Sequence, residues 1–415
     1  MRKGLILFAL LVSSLCICQP VIEIKLDRAD ATYVCETEAV FTVTIKADKD
    51  KPDLLSDGTA TIRLTNDGLD NINSHQLDLS HGNPFTIKGK MEKPGFLSLQ
   101  VSLPGAKTQI YGAAFEPLKI KPAADIPEDF ESFWHGEIEK AEAIPLDLQM
   151  TPWTEGVPAE FIAHKVSFAA PNGRVYGFIS RPKAEGQFPA IFSVPGAGPG
   201  QSAPQYRKDH VTMVMNVHTY DPAIPGKTIK ESYDDVNYGG MYMYKNIPDR
   251  SKTYMHRAII GINRSLNWLA DQPYVAKGKI GYYGSSQGGA FGLILGGLNK
   301  NLRAIASNVP AMCDHLGYRE GRLAGWPQYC RQMKNAPEIE SMAQYYDAAN
   351  FARFIDVPIR VIVGFADRTC SPSSVYAAYN VIPSKSKLIV DEIGMGHEWG
   401  QSFNKAINWM IDLIQ

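Results

Sequence analysis

The sequence of 415 residues predicts an α/β fold, a doubly wound sheet, preceded by an all-β sandwich of immunoglobulin type. Apolar and polar residues alternate through the first hundred positions after residue 20, which is typical of half-buried strands. From about residue 128 onward, short apolar runs of strand type alternate with helical patterns. A glycine-rich pentapeptide, Gly284–Gly288, stands where one such strand meets one such helix. We therefore expect two domains, in a chain long enough to fill more than one core.

Residues 1–18 have the composition of a secretory signal peptide. Two basic residues precede an apolar run over residues 5–12, and small residues follow it. The run is too short for a membrane span. We predict cleavage near Cys18 and a secreted or periplasmic protein without a membrane span. The alternative is a lipoprotein anchor at Cys16 or Cys18, which the residues immediately before these cysteines disfavour.

Residues 19–118 form the predicted β-sandwich. Turn formers separate its alternating segments, which are Val21–Leu26, Ala39–Ile45, Ala60–Leu64 and Phe96–Leu103. Because no cluster of titratable residues stands out, we interpret this domain as a packing or oligomer-shaping module, and a homo-oligomer is compatible with it. Carbohydrate binding through exposed Tyr33 or Tyr111 is the alternative. A proline-punctuated linker over residues 119–127 leads to the second domain.

Residues 128–415 form the predicted α/β domain, and the pentapeptide Gly284-Ser285-Ser286-Gln287-Gly288 lies within it. The preceding residues 279–283 are a short apolar strand, and the following residues 289–295 can coil as a buried helix. A serine at such a junction is lifted on a tight turn, where flanking glycines allow the backbone to crowd itself. We predict that this segment is a nucleophile elbow with Ser286 as the nucleophile.

A serine hydroxyl needs a histidine to take its proton and an acid to orient that histidine. In folds with this elbow, the acid and then the histidine follow on loops after later strands. Asp367 follows the β-rich run 359–365, and His397 follows another short strand in a glycine-spaced loop. We predict these two as acid and base. Asp391 and Glu392 are rival acids, but they lie in or just after a strand, close in sequence to the histidine.

A tetrahedral intermediate also needs two backbone N–H donors for its oxyanion. One is the amide of Gln287, directly after the nucleophile and at the positive end of the following helix. The other belongs to the loop after an earlier strand, 188–194, where we predict the amide of Ala197. A plain glycine turn is the alternative interpretation of this loop, whose glycines do not match the dinucleotide-binding pattern GxGxxG.

Three further residues are predicted to contact a substrate. His218 and Tyr220 follow the next strand. For the histidine, a structural role is the alternative; a second catalytic histidine is disfavoured because His397 already fills that role. The stretch Cys313–Ala348 interrupts the alternation of strands and helices, so we expect it to form a cap in which Trp326 is a wall of the site. Core packing of this cap is the alternative.

Residues 125–415 resemble the acetyl xylan esterase and cephalosporin C deacetylase family of α/β-hydrolases. The matching segments keep the family's order and are Pro127-Glu128-Asp129-Phe130-Glu131-Ser132-Phe133-Trp134, Gly284-Ser285-Ser286-Gln287-Gly288-Gly289, the acid loop at Asp367, and His397-Glu398. The resemblance implies serine-dependent deacetylation of small O-acetyl esters by Ser286, Asp367 and His397, without a metal.

Two segments depart from the family pattern. His218-Thr219-Tyr220 stands where the family usually has Arg-Gly-Gln, and Pro195-Gly196-Ala197 stands where it often has His-Gly-Tyr. A backbone donor survives the second change. The reaction class therefore follows from the resemblance more directly than the substrate, for which we expect acetylated xylan oligosaccharides or similar carbohydrates. A general short-chain carboxylesterase, a peptidase of the same fold and an inactive binding protein are the alternatives.

The charge balance argues against a nucleic-acid-binding protein, and the cysteine spacing argues against a zinc protein. The net charge of −1 becomes −3 without the two basic residues of the signal, since 40 basic residues then face 43 acidic ones. No basic field for nucleic acid exists. Four cysteines remain after export, Cys35, Cys313, Cys330 and Cys370, and all three pairings are open. Their spacing resembles no zinc site, and we predict neither a metal nor another cofactor.

Overall fold

The computed structural model describes residues 19–48, 51–237, 242–333 and 336–415. The predicted signal peptide, residues 1–18, and its cysteines lie outside these ranges. Within them, no helix combines the length and the apolar character that a membrane crossing requires.

The N-terminal region consists of two β-sheets. Its strands are β1 (Val21–Leu26), β2 (Thr32–Tyr33), β3 (Ala39–Asp48), β4 (Lys51–Leu54), β5 (Thr59–Asn66), β6 (Asp70–Asp78), β7 (Phe85–Gly89), β8 (Gly95–Ser102) and β9 (Gln109–Phe115). In the first sheet, β3 pairs with β1, β4 and β7; the second has the order β2-β9-β8-β5-β6. Each of the four predicted alternating segments overlaps a strand.

The two sheets share one hydrophobic core. Alternate residues of β3, such as Phe41 and Val43, point into it from the first sheet, and Ile62, Leu97 and Leu99 point into it from the second. All five side chains are fully buried. The period-two pattern produces the predicted β-sandwich, because β3 and β5 alternate buried with more exposed residues and turn their buried faces toward the shared core.

A nine-stranded sheet forms the centre of the remaining chain. Its strands are β10 (Gln149–Trp153), β11 (Phe161–Ala170), β12 (Gly173–Pro182), β13 (Phe188–Ser193), β14 (Val211–Asn216), β15 (Val275–Ser285), β16 (Leu302–Asn308), β17 (Ile359–Gly364) and β18 (Lys387–Glu392). Their order is β10-β11-β12-β14-β13-β15-β16-β17-β18, and the strands from β14 to β18 are parallel. The chain order reverses at β13, and in open α/β sheets such a switch point is where ligands bind.

Helices cover both faces of this sheet, as the predicted doubly wound fold requires. They are α1 (Phe130–Glu142), α2 (Ile229–Asn237), α3 (Tyr254–Ala270), α4 (Gln287–Leu298), α5 (Tyr329–Gln332), α6 (Pro337–Tyr345), α7 (Ala348–Ala352), α8 (Pro372–Asn380) and α9 (Gln401–Asp412). The apolar stripe of α3 packs on β11, β12 and β15. The C-terminal segment of the chain, which includes α9, covers the opposite face of the sheet. Its apolar residues Phe403, Met410 and Ile414 pack on residues of β13 and β16.

The stretch Cys313–Ala348, predicted to be a cap, contains the short helices α5 and α6 and a 3-10 turn, Gly317–Glu320. Tyr329 and Cys313 are buried in the main hydrophobic core, so this part of the segment is core structure. The segment is joined to the loop after β17 because the N–H of Trp326 donates to the Thr369 carbonyl at 2.9 Å. The four cysteines of the described ranges are free thiols, and Cys313 and Cys330 form no bridge.

Candidate active site

Ser286 occupies the sharp turn between β15 and α4. Its φ of 58° and ψ of −119° lie where residues other than glycine are rarely found. Such backbone strain persists only when the surroundings enforce it. Here the Ser286 N–H donates to the Asn308 carbonyl at 2.9 Å, and the Ser286 carbonyl accepts from the Ala311 N–H at 3.0 Å. Neighbouring β16 and the residues after it therefore hold the serine in its strained conformation.

The glycines beside this serine are required by close backbone crossings. A Cβ atom at position 288 would lie 2.0 Å from the Val194 carbonyl oxygen, and one at position 284 would lie 2.4 Å from the Gly288 carbonyl oxygen. No side chain fits at either distance, since backbone atoms cannot yield as a flexible side chain can. Both glycines of GxSxG are therefore required because the first turn of α4 packs closely against the end of β15 and the residue after β13.

The structure brings the three predicted residues together at the carboxyl edge of the sheet. The Nδ1 atom of His397 lies 2.7 Å from Oδ2 of Asp367, and its Nε2 atom lies 2.8 Å from Oγ of Ser286. Because a carboxylate only accepts, Nδ1 donates its proton to Asp367 and Nε2 accepts the hydrogen bond of the serine hydroxyl. The rival acids, Asp391 and Glu392, are the last two residues of β18.

Asp367 is held in place by its own loop. Its side chain is fully buried, whereas that of His397 is 28% exposed. The second carboxylate oxygen, Oδ1, accepts from the N–H of Thr369 at 2.7 Å and from that of Cys370 at 2.9 Å. With Oδ1 so occupied, Oδ2 is the oxygen that faces the imidazole.

Asn308 connects the nucleophile turn to the histidine loop. Its fully buried side chain donates from Nδ2 to Oγ of Ser285 at 2.8 Å and to the carbonyl of Glu398 at 2.9 Å. The same residue accepts the backbone N–H of Ser286. Sequence reasoning missed this role, since a lone asparagine at a strand end carries no signal of its own.

The two predicted oxyanion donors come from different segments, the loop after β13 and the start of α4. Ala197 lines a cavity of about 420 Å³ together with Ser286 and His397. Gln287 is the first residue of α4, where backbone N–H groups have no partner within the helix. Its fully buried side chain accepts a hydrogen bond of 2.6 Å from the Tyr242 hydroxyl. The backbone amide of Gln287 therefore starts a helix whose positive end faces the serine.

The three predicted substrate contacts are not among the residues that line this cavity. His218 is 1% exposed, and its Nε2 and Nδ1 atoms lie 2.7 Å from the Gly198 carbonyl and 3.0 Å from the Tyr254 hydroxyl. Tyr220 donates to the Pro199 carbonyl. Both residues thus support the loop of Ala197 from behind, which is the structural alternative. Trp326 packs against Tyr242 with ring centroids 6.3 Å apart.

We expect His218 to make stability depend on pH. Burial lowers the pKa of its imidazole from 6.5 to about 4. As pH falls below 6.5, the unfolded chain binds a proton that the folded protein does not, so the free energy of unfolding decreases. Between pH 7 and pH 5 this loss amounts to about 2 kcal/mol. Urea unfolding at the two pH values should show a smaller loss for His218→Gln; an unchanged pH dependence would contradict the assignment.

The N-terminal β-sandwich contacts the loop of the predicted acid. Asp67, in the turn after β5, is 2% exposed and accepts the Ser373 N–H at 3.0 Å at the start of α8. Desolvation raises the pKa of its carboxyl to about 7. Next to it, a Cβ atom at Gly68 would come within 1.7 Å of Nη1 of Arg368. The turn therefore packs directly on the residue that follows Asp367.

Two more contacts join the sandwich to the catalytic edge. Phe96 of β8 packs edge-on against Phe365, with ring centroids 4.9 Å apart, and both rings are buried. The ring of Tyr111 in β9 lies against Gly394, at the start of the histidine loop. Tyr111 is thus a partly buried packing residue at this interface.

Replacing Asp67 by alanine should loosen the acid loop. The change leaves the first N–H groups of α8 with one acceptor fewer and opens space beside Arg368. Loss of this hydrogen bond costs about 1 kcal/mol of stability, and we expect kcat to fall about tenfold. Asp67→Asn is the matched control, because its side-chain oxygen still accepts and it resembles the protonated acid. Thermal unfolding and esterase kinetics measure the two effects, and equal kcat values for both variants would contradict this role.

Within the part of the chain that the structure describes, one group of side chains is close enough together to ligate a metal ion. The single group of potential ligands there comprises Asp367, Cys370 and His397, whose ligand atoms lie within 4.8 Å of one another. Cys370 is fully buried, and burial raises the pKa of its thiol well above the ordinary value. A metal would need the thiolate. The hydrogen bonds already made by the carboxylate and the imidazole suit proton transfer better than ligation.

A serine, a histidine and an aspartate joined by hydrogen bonds at the switch point of a doubly wound sheet define the α/β-hydrolase class. Residues 114–413 match the model of the acetyl xylan esterase family. The chain belongs to this family, and it is a carboxylic ester hydrolase.

Similar proteins agree with this assignment. The acetyl esterase Axe7A of Xylanibacter ruminicola is 28% identical over 329 residues, covering 77% of this chain and 75% of that protein. Among solved structures, acetyl xylan esterase 1 from Thermoanaerobacterium sp. JW/SL YS485 has a TM-score of 0.60 at 21% identity, over 72% of this chain and 98% of its own. The acetyl xylan esterase from Paenibacillus sp. R4 has a TM-score of 0.57 at 20% identity, with the same coverage. Both structures show the same fold.

Proposed function

We propose that the protein is a secreted serine esterase that removes O-acetyl groups from carbohydrates such as acetylated xylan oligosaccharides. The observation that carries this proposal is the pair of hydrogen bonds joining Ser286, His397 and Asp367 across 111 and 30 residues of sequence. The family supports deacetylation as the reaction. The signal-like composition of residues 1–18 supports export.

In the proposed acylation step, Oγ of Ser286 attacks the acetyl carbonyl carbon while its proton passes to Nε2 of His397. The N–H groups of Gln287 and Ala197 bind the oxyanion that forms. His397 then returns the proton to the sugar oxygen as the bond between that oxygen and the carbonyl carbon breaks. The products are the free sugar hydroxyl and the acetyl-serine ester.

Deacylation repeats these transfers with water as the nucleophile. His397 takes a proton from water, the oxygen attacks the acetyl carbon, and that proton passes to Oγ of Ser286 as acetic acid leaves, which ionises to acetate in solution. Asp367 remains ionised throughout, fixes the tautomer of the ring and stabilises the imidazolium. Its two backbone hydrogen bonds at Oδ1 keep it in this orientation.

Acetate release from a panel of acetylated oligosaccharides tests the proposal, together with p-nitrophenyl esters of increasing acyl length. We expect acetyl esters to be the best substrates and a fluorophosphonate probe to label the wild-type protein. A preference for long acyl chains would show a general carboxylesterase. Cleavage of short peptide amides with little ester hydrolysis would show a peptidase, and absence of labelling would show an inactive hydrolase shell.

A further inference from the structure

We propose that a groove beside the catalytic cavity is a second glycosyl subsite, which binds the sugar ring next to the acetylated one. The groove has a volume of about 380 Å³, and three of its lining residues, Gln205, Tyr283 and Trp399, also line the catalytic cavity. A ligand chain that leaves the nucleophile over Trp399 therefore enters it directly. The proposal rests on the proposed deacetylase function and extends it to oligosaccharide recognition.

Trp399 forms the shared wall and is the central element of this subsite. It lies two residues after His397, and 54% of its surface is exposed. Neighbours nevertheless fix the ring: its centroid lies 4.5 Å from that of Phe403, and its Nε1–H donates to Oδ1 of Asn404 at 2.8 Å. An exposed but immobilised indole binds a ligand at little cost in side-chain entropy.

This geometry suits a pyranose ring. The C–H groups on one face of a pyranose are apolar and weakly positive, and they pack on the negative face of an aromatic ring. An apolar wall with a few polar groups is the usual composition of a ligand pocket. Besides Trp399, the side chains of Ile191 and Ile407 contribute apolar surface to the lining of the groove.

Polar side chains in the lining of the groove can meet the sugar hydroxyls. Asn404 and Asn408 stand four residues apart on α9, so their amides lie on the same face of the helix and both line the groove. Arg207 adds a guanidinium to the lining. The hydroxyl of Tyr206, also in the lining, is buried without a hydrogen-bond partner. Buried polar atoms are nearly always paired, and a ligand hydroxyl would supply this missing partner.

Substrates of different length test the subsite. The readout is kcat/KM for acetylated xylotriose divided by kcat/KM for p-nitrophenyl acetate, which has no second ring. We expect Trp399→Ala to lower this ratio about tenfold, because one stacked ring contributes about 1.4 kcal/mol. Trp399→Phe keeps an aromatic face and should retain most of the wild-type ratio. Lys405→Ala, on the exposed side of the same helix, is the matched control and should keep the wild-type ratio.

A binding measurement separates this proposal from the proposed function. Unacetylated xylotriose is titrated into Ser286→Ala, and the tryptophan fluorescence is followed with and without the added change Trp399→Ala. Saturable quenching that requires Trp399 supports the subsite even if no acetylated sugar is hydrolysed, an outcome that overturns only the deacetylase assignment. An unchanged substrate ratio together with no quenching overturns the subsite. A change of oligomeric state in Trp399→Ala with an unchanged ratio also overturns it, since the groove is then a subunit contact.

Discussion

Replacement of Ser286 by alanine should lower kcat for p-nitrophenyl acetate by about 10⁴–10⁶. The variant lacks the Oγ atom that forms the acetyl-enzyme, while the oxyanion donors and His397 remain in place. Alanine keeps Cβ, and the backbone bonds to Asn308 and Ala311 do not involve the side chain. We therefore expect an unchanged fold and an unchanged melting temperature. Initial rates with purified mature protein and circular dichroism measure the two properties.

Ser285→Ala is the matched control for this experiment. It removes an identical hydroxyl one position earlier, where Oγ accepts from Asn308 instead of pairing with the imidazole. We expect a loss of kcat within about tenfold, since one hydrogen bond that positions the turn disappears. Fluorophosphonate should label Ser285→Ala but not Ser286→Ala. Wild-type rates for Ser286→Ala would show that the nucleophile lies elsewhere.

The order of the three catalytic candidates could be predicted from the sequence because topology constrains it. Parallel strands present their carboxyl ends at one edge of a sheet, so residues that follow β15, β17 and β18 must converge there. The strand type of each run was visible in its β-branched and apolar residues. Ser286, Asp367 and His397 could therefore be selected although they lie far apart in sequence.

Contacts between distant parts of the chain could not be predicted in this way. Asp67 and Ser373 are 306 residues apart, and the Asp67-Gly68 pair has the sequence of an ordinary turn. Its burial arises only because the sandwich packs on the acid loop. Asn308 is similar, since its three hydrogen bonds join segments whose proximity is a tertiary property.

Burial distinguishes between the pocket-lining and structural roles that the sequence leaves open for His218. A histidine after a strand of the catalytic sheet is chemically suited to line a site, and sequence leaves its exposure open. In the structure it stacks on Tyr220, with ring centroids 4.9 Å apart, and packs edge-on against Tyr233 and Tyr242. Trp399, in contrast, is a large aromatic residue that the structure leaves exposed, in the loop between β18 and α9.

The second large effect is expected for Asp367→Asn, which should lower kcat by about 10⁴ with little change in KM. Oδ1 of Asp367 accepts two backbone N–H groups, so the asparagine must place its oxygen there and its Nδ2 toward His397. An amide NH₂ donates, and the ring must then accept at Nδ1 and carry its proton on Nε2. In that tautomer His397 cannot take the serine proton.

Asp391→Asn is the control, because Asp391 is the rival acid and its carboxylate accepts from the Tyr376 hydroxyl at 2.6 Å. We expect its kcat to stay within about threefold of wild type, as for a surface hydrogen bond remote from the reacting atoms. Steady-state kinetics on p-nitrophenyl acetate compare kcat of the two variants at a temperature where both are folded. A greater loss of kcat in Asp391→Asn than in Asp367→Asn would show that Asp391, at the end of β18, is the catalytic acid. Equal activity of wild type and Asp367→Asn would remove the carboxylate from the mechanism, since the asparagine loses both the correct tautomer of His397 and the charge that stabilises the imidazolium.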